Sequence, residues 1–172
     1  MYQIRFIDPR GIILAMEVRF IADVNVGKLA KWLRIVGYDT LFFKDIDDGE
    51  LVEMALAENR ILLTRDTNIM KRRIVASGEV QAILIADDRA KNQLSQVIDT
   101  LNLETDSRFS RCIECNQLLV DRAKKDIKDL VPPYVFKTQK LYMQCPSCDK
   151  IYWRGTHWDK MDKELKDLRN DD

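Results

Sequence analysis

Val18-Arg19-Phe20-Ile21-Ala22-Asp23, then Lys28-Leu29-Ala30-Lys31-Trp32-Leu33-Arg34-Ile35-Val36-Gly37, then Thr40-Leu41-Phe42-Phe43 is the stretch that decides the fold. Val18 to Ala22 reads as a strand, rich in β-branched and aromatic residues. Lys28 to Val36 puts Leu29, Trp32, Leu33 and Val36 at i, i+3, i+4 and i+7, one face of a helix, and Gly37 stops it. Thr40 to Phe43 is a second strand. The same alternation continues outward. Glu50 to Asn59 reads as a helix with Leu51, Met54 and Ala55 inward, Ile61-Leu62-Leu63-Thr64 as a strand, and Asn68 to Ala76 as a helix. Val80 to Ala86 reads as a fourth strand, and Ala90 to Leu101 as a helix with Leu94, Val97, Ile98 and Leu101 in register. Strand and helix alternating four times predict an α/β fold, a parallel sheet with right-handed crossovers and flanking helices. The strands lack polar alternation, as expected where helices cover both faces.

Composition agrees. With 172 residues, 46% of them apolar and only six Gly and four Pro, the chain can close a core and is not low-complexity. No apolar run approaches the roughly 18–20 residues of a membrane helix. Residues 1–16 lack the pattern of a secretory leader, so a cytoplasmic location is expected. The 28 basic and 28 acidic residues balance, which excludes a polybasic nucleic-acid binder. The balance conceals a division: residues 16–108 carry 13 Lys/Arg against 16 Asp/Glu, and residues 109–158 carry 9 against 5. The polar stretch Asn102 to Arg111 lies at that boundary. We therefore read residues 1–15 as an N-terminal extension, 16–108 as the α/β domain, 109–158 as a second, small domain, and 159–172 as a charged tail with fraying helical character. The extension reads as an edge hairpin turning at Pro9-Arg10-Gly11, or as a segment upstream of a true start at Met16.

Every strand runs into acid. Asp23 follows the first, Asp45, Asp47, Asp48 and Glu50 the second, Asp66 the third, and Asp87 and Asp88 the fourth. Ligands of open parallel sheets bind outside the carboxyl ends of the strands, and neighbouring strands are about 4.8 Å apart. Carboxylates that close repel unless a cation neutralises them, and hard oxygens suit Mg²⁺ or Mn²⁺. Such an ion activates water and stabilises the leaving oxygen of a phosphoester, the chemistry of a nuclease or phosphatase. The plainer reading is helix capping, because Asp is a preferred N-cap and Asp23, Asp48 and Asp66 each stand where a helix begins. Lys28, Lys31 and Arg65 near this rim can hold a phosphate or stand solvated, and Lys71-Arg72-Arg73 reads as a solvated face.

The four cysteines form two pairs, Cys112-Ile-Glu-Cys115 and Cys145-Pro-Ser-Cys148, separated by 29 residues. In an unsecreted chain this spacing points to a tetrahedral Zn²⁺ held by two knuckles. Four thiolates leave no open position, so the zinc is structural. Asn116 and Asp149, directly after the pairs, stand where the turn needs a left-handed residue, and both types tolerate it. Tyr134, Phe136, Tyr142, Tyr152, Trp153 and Trp158 crowd this region. A domain this small needs such mass for its core, while an exposed ring on a basic surface can also stack on an unpaired base. His157, the single histidine, reads as a hydrogen-bonded structural residue.

Taken together, Phe20-Ile21-Ala22-Asp23, Gly27-Lys28-Leu29-Ala30-Lys31-Trp32-Leu33-Arg34 and Gly37-Tyr38-Asp39-Thr40 resemble the opening of the Mut-seven C-terminal RNase domain family. The resemblance continues through Asp48-Gly49-Glu50-Leu51, Ile61-Leu62-Leu63-Thr64-Arg65-Asp66 and Gln93-Leu94. It extends through Val131-Pro132-Pro133-Tyr134-Val135, Cys145-Pro146-Ser147-Cys148 and Tyr152-Trp153-Arg154-Gly155-Thr156-His157-Trp158, covering about residues 18–160 in the family's order. Asn25-Val26 and Asp149 depart from the family's usual residues. The resemblance implies a PIN-like nuclease domain followed by a zinc ribbon. It implies a Mg²⁺ or Mn²⁺ site on Asp23, on Asp48 or Glu50, and on Asp66, with a further acid drawn from Asp45, Asp47, Asp87 or Asp88; we take Asp23, Glu50 and Asp66 as the ligands, with Asp48 assisting. The function that follows is metal-dependent hydrolysis of single-stranded RNA, with Lys28 and Arg65 as substrate contacts and the ribbon aiding RNA binding. Two rivals remain open on sequence: a non-catalytic RNA-binding or ribosome-associated module, and a small-molecule phosphoester hydrolase.

Overall fold

A computed structural model describes residues 4–7, 13–105 and 109–167. The chain divides into two compact units, Met1–Phe109 and Ser110–Asp172.

In the first unit, β1 (Ile4–Ile7) pairs antiparallel with β2 (Ile13–Met16) as a two-stranded sheet of its own. A hairpin is present, as the sequence suggested, but it does not extend the main sheet, and the turn at Pro9-Arg10-Gly11 lies outside the described residues. The main sheet contains β3 (Arg19–Ala22), β4 (Asp39–Phe42), β5 (Ile61–Thr64) and β6 (Ala82–Leu84), all parallel, in the order β4-β3-β5-β6. Its helices are α1 (Gly27–Ile35), α2 (Asp48–Ala57), α3 (Thr67–Lys71), α4 (Arg73–Ala76) and α5 (Ala90–Leu101). All four residues of β5 are buried, which is why its sequence is an unbroken apolar run closed by one threonine.

Successive strand residues face opposite sides of the sheet. Ile21 and Leu62 pack with Leu51, Val52 and Ala55 of α2 and with Ile69, Val75 and Val80. Phe20 meets the Tyr38 ring edge-on at 5.7 Å. α1 packs on α5 and β4, burying Leu29, Ala30, Leu33, Leu94 and Val97. Gly27 opens α1 because a Cβ there would stand 2.5 Å from the Phe42 ring.

The sequence predicted one helix over Asn68 to Ala76, and the structure has two, broken at Arg72 (φ −59°, ψ 135°). The cause is phase. Ile69 and Val75 are both buried in one cluster, yet residues six apart lie on different faces of a continuous helix. Breaking the helix between them turns both inward. The fourth strand is likewise shorter than Val80 to Ala86, although Leu62 N–H donates to Gln81 and Ile85 N–H to Thr64 just beyond its ends.

In the second unit, β7 (Val120–Arg122), β8 (Tyr142–Gln144) and β9 (Ile151–Trp153) form an antiparallel sheet in that order. α6 (Pro133–Thr138) and α7 (Thr156–Asp167) complete it. Its small core is Ile127, Val131 and Tyr142, flanked by Val135, Phe136, Ile151 and Trp153. The Tyr142 hydroxyl donates to the Val135 carbonyl at 3.0 Å, satisfying its one polar atom inside that core. α7 begins at Thr156 and buries Leu165. The side chain of His157 lies outside the described residues. Among the described residues no helix is long and apolar enough to cross a membrane.

Candidate functional site

From β3 the chain crosses to β4 on one side, and β5 pairs with β3 on the other. The carboxyl ends of β3 and β5 therefore flank the point where strand order reverses, the usual ligand crevice of such sheets. Asp23 follows β3 directly, and its N–H donates to Leu63 at 2.9 Å, one more rung of the ladder. Its side chain is only 4% exposed. The fully buried Thr64 donates its hydroxyl to Asp23 Oδ2 at 2.7 Å and accepts the Asp66 N–H at 2.9 Å, so one side chain ties together the two acids. The Asn25 amide also donates to Asp23 Oδ2, at 3.0 Å. Asp23 makes no capping bond to the short 3-10 turn Val24–Val26 that follows it. Asp66 does cap α3, accepting the Asn68 N–H on Oδ1 at 2.7 Å. Asp23 Oδ1 and Asp66 Oδ2 have no hydrogen-bond partner among the described residues. Asp66 and Arg65 line an open depression with Asn25 and Thr67.

The flanking acids are engaged differently. Asp47, rather than Asp48, caps α2, accepting from the N–H groups of Gly49 and Glu50 at 2.6 and 3.1 Å. Asp48 and Glu50 occupy the first helical turn, where the helix dipole favours negative charge. Asp48 faces Arg72 at 3.7 Å, Glu50 is exposed, and Asp45 is exposed on the loop before α2. Asp87 accepts from the Asn92 amide and the Arg89 N–H, and these bonds hold its carboxyl below the usual value. Asp88 pairs with Arg65, and Lys28 is exposed on the first turn of α1. The acids share one rim but do not converge. Among the described residues only the four cysteines gather closely enough, three or more together, to share an ion.

A second concavity, about 70 Å³, lies at the opposite ends of the strands near Arg19, Asn59, Arg60 and Val80. Arg60 there is committed to structure: it donates to Asp39 at 2.6 Å, Glu58 at 2.7 Å and the Phe20 carbonyl at 3.2 Å. Burial opposes its charge, but those two carboxylates outweigh it and hold the pKa above the ordinary value.

In the second unit the Cys112, Cys115, Cys145 and Cys148 sulfurs all lie within 4.8 Å of one another, and all four are free thiols. Cys112–Cys148 and Cys115–Cys145 are 3.6 and 3.2 Å apart. A tetrahedron with Zn–S bonds of about 2.3 Å has edges of about 3.8 Å, so the donor set suits zinc with a slight expansion. The knuckles are built alike. Asn116 N–H donates to Cys112 and Cys112 N–H to Gln117; Asp149 N–H donates to Cys145 and Cys145 N–H to Lys150. Asn116 and Asp149 have φ of 70° and 57°, the left-handed conformation that the sequence predicted for them. Tyr152 Oη lies 3.1 Å from Cys112 Sγ and accepts the Ile113 N–H. Burial resists ionisation of Cys112, but the Tyr152 hydroxyl and the N–H groups of Cys115 and Glu114 bring its pKa down to about 6. Burial and the neighbouring thiols push Cys115 up to about 12.

The model of the Mut7-C RNAse domain matches residues 18–165. The chain belongs to this family. Comparison with curated proteins finds no match. Membership in the Mut7-C RNAse domain family gives the chain a ribonuclease-like character, and its four cysteines form a candidate zinc site. Two features of this Mut7-C chain escape a reading of sequence. By sequence Arg72 belongs to a solvated basic run, but the helix break brings it to Asp48 on the rim. Thr64 looks like the end of a strand, but it joins Asp23 to Asp66.

Proposed function

We propose that this protein hydrolyses phosphodiester bonds of single-stranded RNA at the β3–β5 rim, with a divalent cation held by Asp23, Glu50 and Asp66 and assisted by Asp48. Family membership supplies the ribonuclease class. The observation that carries the site is Asp23: a buried carboxylate at the switch point, oriented by Thr64 and Asn25 and not used as a cap. Helix capping accounts for Asp47 but not for Asp23.

Asp23 and Asp66 offer oxygens of the kind that Mg²⁺ or Mn²⁺ takes, while Glu50 does not gather with them in this structure and would have to approach to complete the set. Asp23 and Asp66 each keep one oxygen without a partner among the described residues, and Mg²⁺ binds through one or two carboxylates with waters and phosphate completing its shell. When bound, the ion supplies an activated water and charge stabilisation for the leaving oxygen. Thr64 fixes the Asp23 carboxylate and the Asp66 backbone, and the Asn68 N–H fixes the Asp66 carboxylate. Arg65 and Arg72, tied to Asp88 and Asp48 by exposed pairs of small energetic worth, can exchange those partners for RNA phosphates. Lys28, exposed on the first turn of α1, is a further cation for the same role. A zinc ribbon, richer in Lys and Arg than in acids over residues 109–158, counters the repulsion between the acidic rim and RNA. A set of four cysteines spaced to hold zinc suits a reducing cytoplasm.

The test is incubation with labelled single-stranded RNA and with a chromogenic phosphate monoester, with and without Mn²⁺. Metal-dependent cleavage of RNA alone supports the reading. Turnover of the ester alone would favour a small-molecule phosphatase, and binding without cleavage a non-catalytic module.

A further inference from the structure

The six aromatic rings of the second unit are not equivalent. Tyr142 is buried in the core, with Phe136 and Trp153 packed against it. Tyr152 bonds the Cys112 sulfur, and the Trp158 ring lies 4.1 Å from the Arg154 guanidinium. Tyr134 alone has no such task. Its side chain is 76% exposed, and its ring and hydroxyl have no partner among the described residues.

A unit this small is short of apolar mass for its core, so leaving a large ring outside needs a reason. The helix supplies part of one. Val135 and Phe136 turn inward on α6, while Tyr134, Lys137 and Thr138 occupy its outer face, as spacings of three and four require. Lys137 and Lys140 are exposed and have no ion pair or hydrogen bond among the described residues. Lys124, by contrast, is held by the Gln139 carbonyl at 2.7 Å and the Phe136 ring. Residues 124–140 carry five Lys against two Asp. Protein-binding surfaces deplete lysine at their centres. A ring beside unpaired lysines fits a polyanion with aromatic bases.

We propose that the outer face of α6 is a stacking platform for single-stranded RNA, with Tyr134 receiving one unpaired base and Lys137 and Lys140 the adjacent phosphates. This rests on the reading of the protein as an RNA-cleaving enzyme and names the surface that holds the strand. A phenol ring accepts any base, because every base has a π-face, so the platform contributes grip without sequence preference.

The test uses the full zinc-loaded chain carrying Asp66→Asn, so that RNA is bound and not consumed. Fluorescence anisotropy with a labelled 12-nucleotide RNA compares this parent with added Tyr134→Ala, Tyr134→Phe and Lys137→Gln. One stacked base is worth a factor of about 5 to 150 in affinity, so Tyr134→Ala should weaken binding within that range. Tyr134→Phe should stay within about threefold, because stacking needs the ring and not the hydroxyl. Lys137→Gln should lower the slope of log affinity against log salt by about 0.7. An abasic sugar-phosphate oligomer of equal length should bind the parent and Tyr134→Ala alike. Because Tyr134 is exposed, the zinc content and melting temperature of Tyr134→Ala should match the parent. Parental RNA affinity in Tyr134→Ala would overturn the platform while leaving the RNA reading intact. Failure of the parent to bind RNA would overturn both. A change confined to self-association in sedimentation would instead assign the face to a second copy of the chain, and would also overturn the proposal.

Discussion

Replacing Thr64 by valine removes one oxygen and keeps the branched shape that fills its buried place at the end of β5. Two partners lose by it: the Asp23 carboxylate, 2.7 Å from the hydroxyl, and the Asp66 N–H, 2.9 Å away. A hydrogen bond to a charged group is worth about 1.5–3 kcal/mol and a neutral one about 0.5–1.5. Asp23 is almost without access to water that could substitute. The expected loss is thus about 2–4 kcal/mol, a fall in melting temperature of about 8–16 °C at the scale of this unit. Thr64→Ser keeps the hydroxyl and loses one methyl, and should cost about 1 kcal/mol. Asp23→Asn weakens the bond by removing its charge, so adding Thr64→Val to it should cost about 1 kcal/mol less than in the wild type. Thermal and urea unfolding of the four variants measures all of this. Valine as stable as wild type, or serine worse than valine, would refute the view that the hydroxyl holds the rim together.

Purified protein should contain about one zinc per chain, and chelation should unfold the unit built on Cys112, Cys115, Cys145 and Cys148, because zinc binding in such domains is worth roughly 10–16 kcal/mol. Elemental analysis with circular dichroism checks this, and a folded zinc-free unit would contradict it. Asp87 is held below its ordinary pKa by Asn92 and Arg89, so its contribution is present above the unfolded value of 3.8 and is lost as pH falls through the lower folded value. Asp87→Ala should therefore lower the melting temperature at pH 7, and the gap to wild type should close in acid. A chain beginning at Met16 should melt within a few degrees of the full chain, because β1 and β2 pair with each other and not with the main sheet; a large drop in a thermal scan would contradict this.

Local chemistry was legible in the sequence where local chemistry decides. The apolar run Ile61–Thr64 became β5, and Ala90–Leu101 became α5, each over the residues its periodicity marked. Asn116 and Asp149 took the left-handed turns that the cysteine spacing demands. What the sequence hid depends on contacts between distant segments. The break at Arg72 carries no Gly or Pro; it answers the need to bury Ile69 and Val75 against α2, which the third helix cannot announce by itself. Along the rim, Asp47 and Asp48 are adjacent, and only the entry angle of α2 decides that the first caps and the second meets Arg72. Asp23 and Asp66 each resembled a cap, and Asp66 is one. That Asp23 is instead held by Thr64, 41 residues away, follows from strand order, which periodicity does not encode.

The most direct test of the central claim is cleavage of single-stranded RNA in Mn²⁺ by the wild type, Asp23→Asn and Asp66→Asn. Asparagine keeps an oxygen to accept from Thr64 and Asn25 at position 23 and caps nearly as well at position 66, so folding should be close to wild type in both variants. It removes the charge that would hold the cation. The account predicts that both variants lose cleavage while still binding RNA and melting near the wild-type temperature. Cleavage at the wild-type rate by Asp66→Asn, in preparations free of contaminating nuclease, would contradict it.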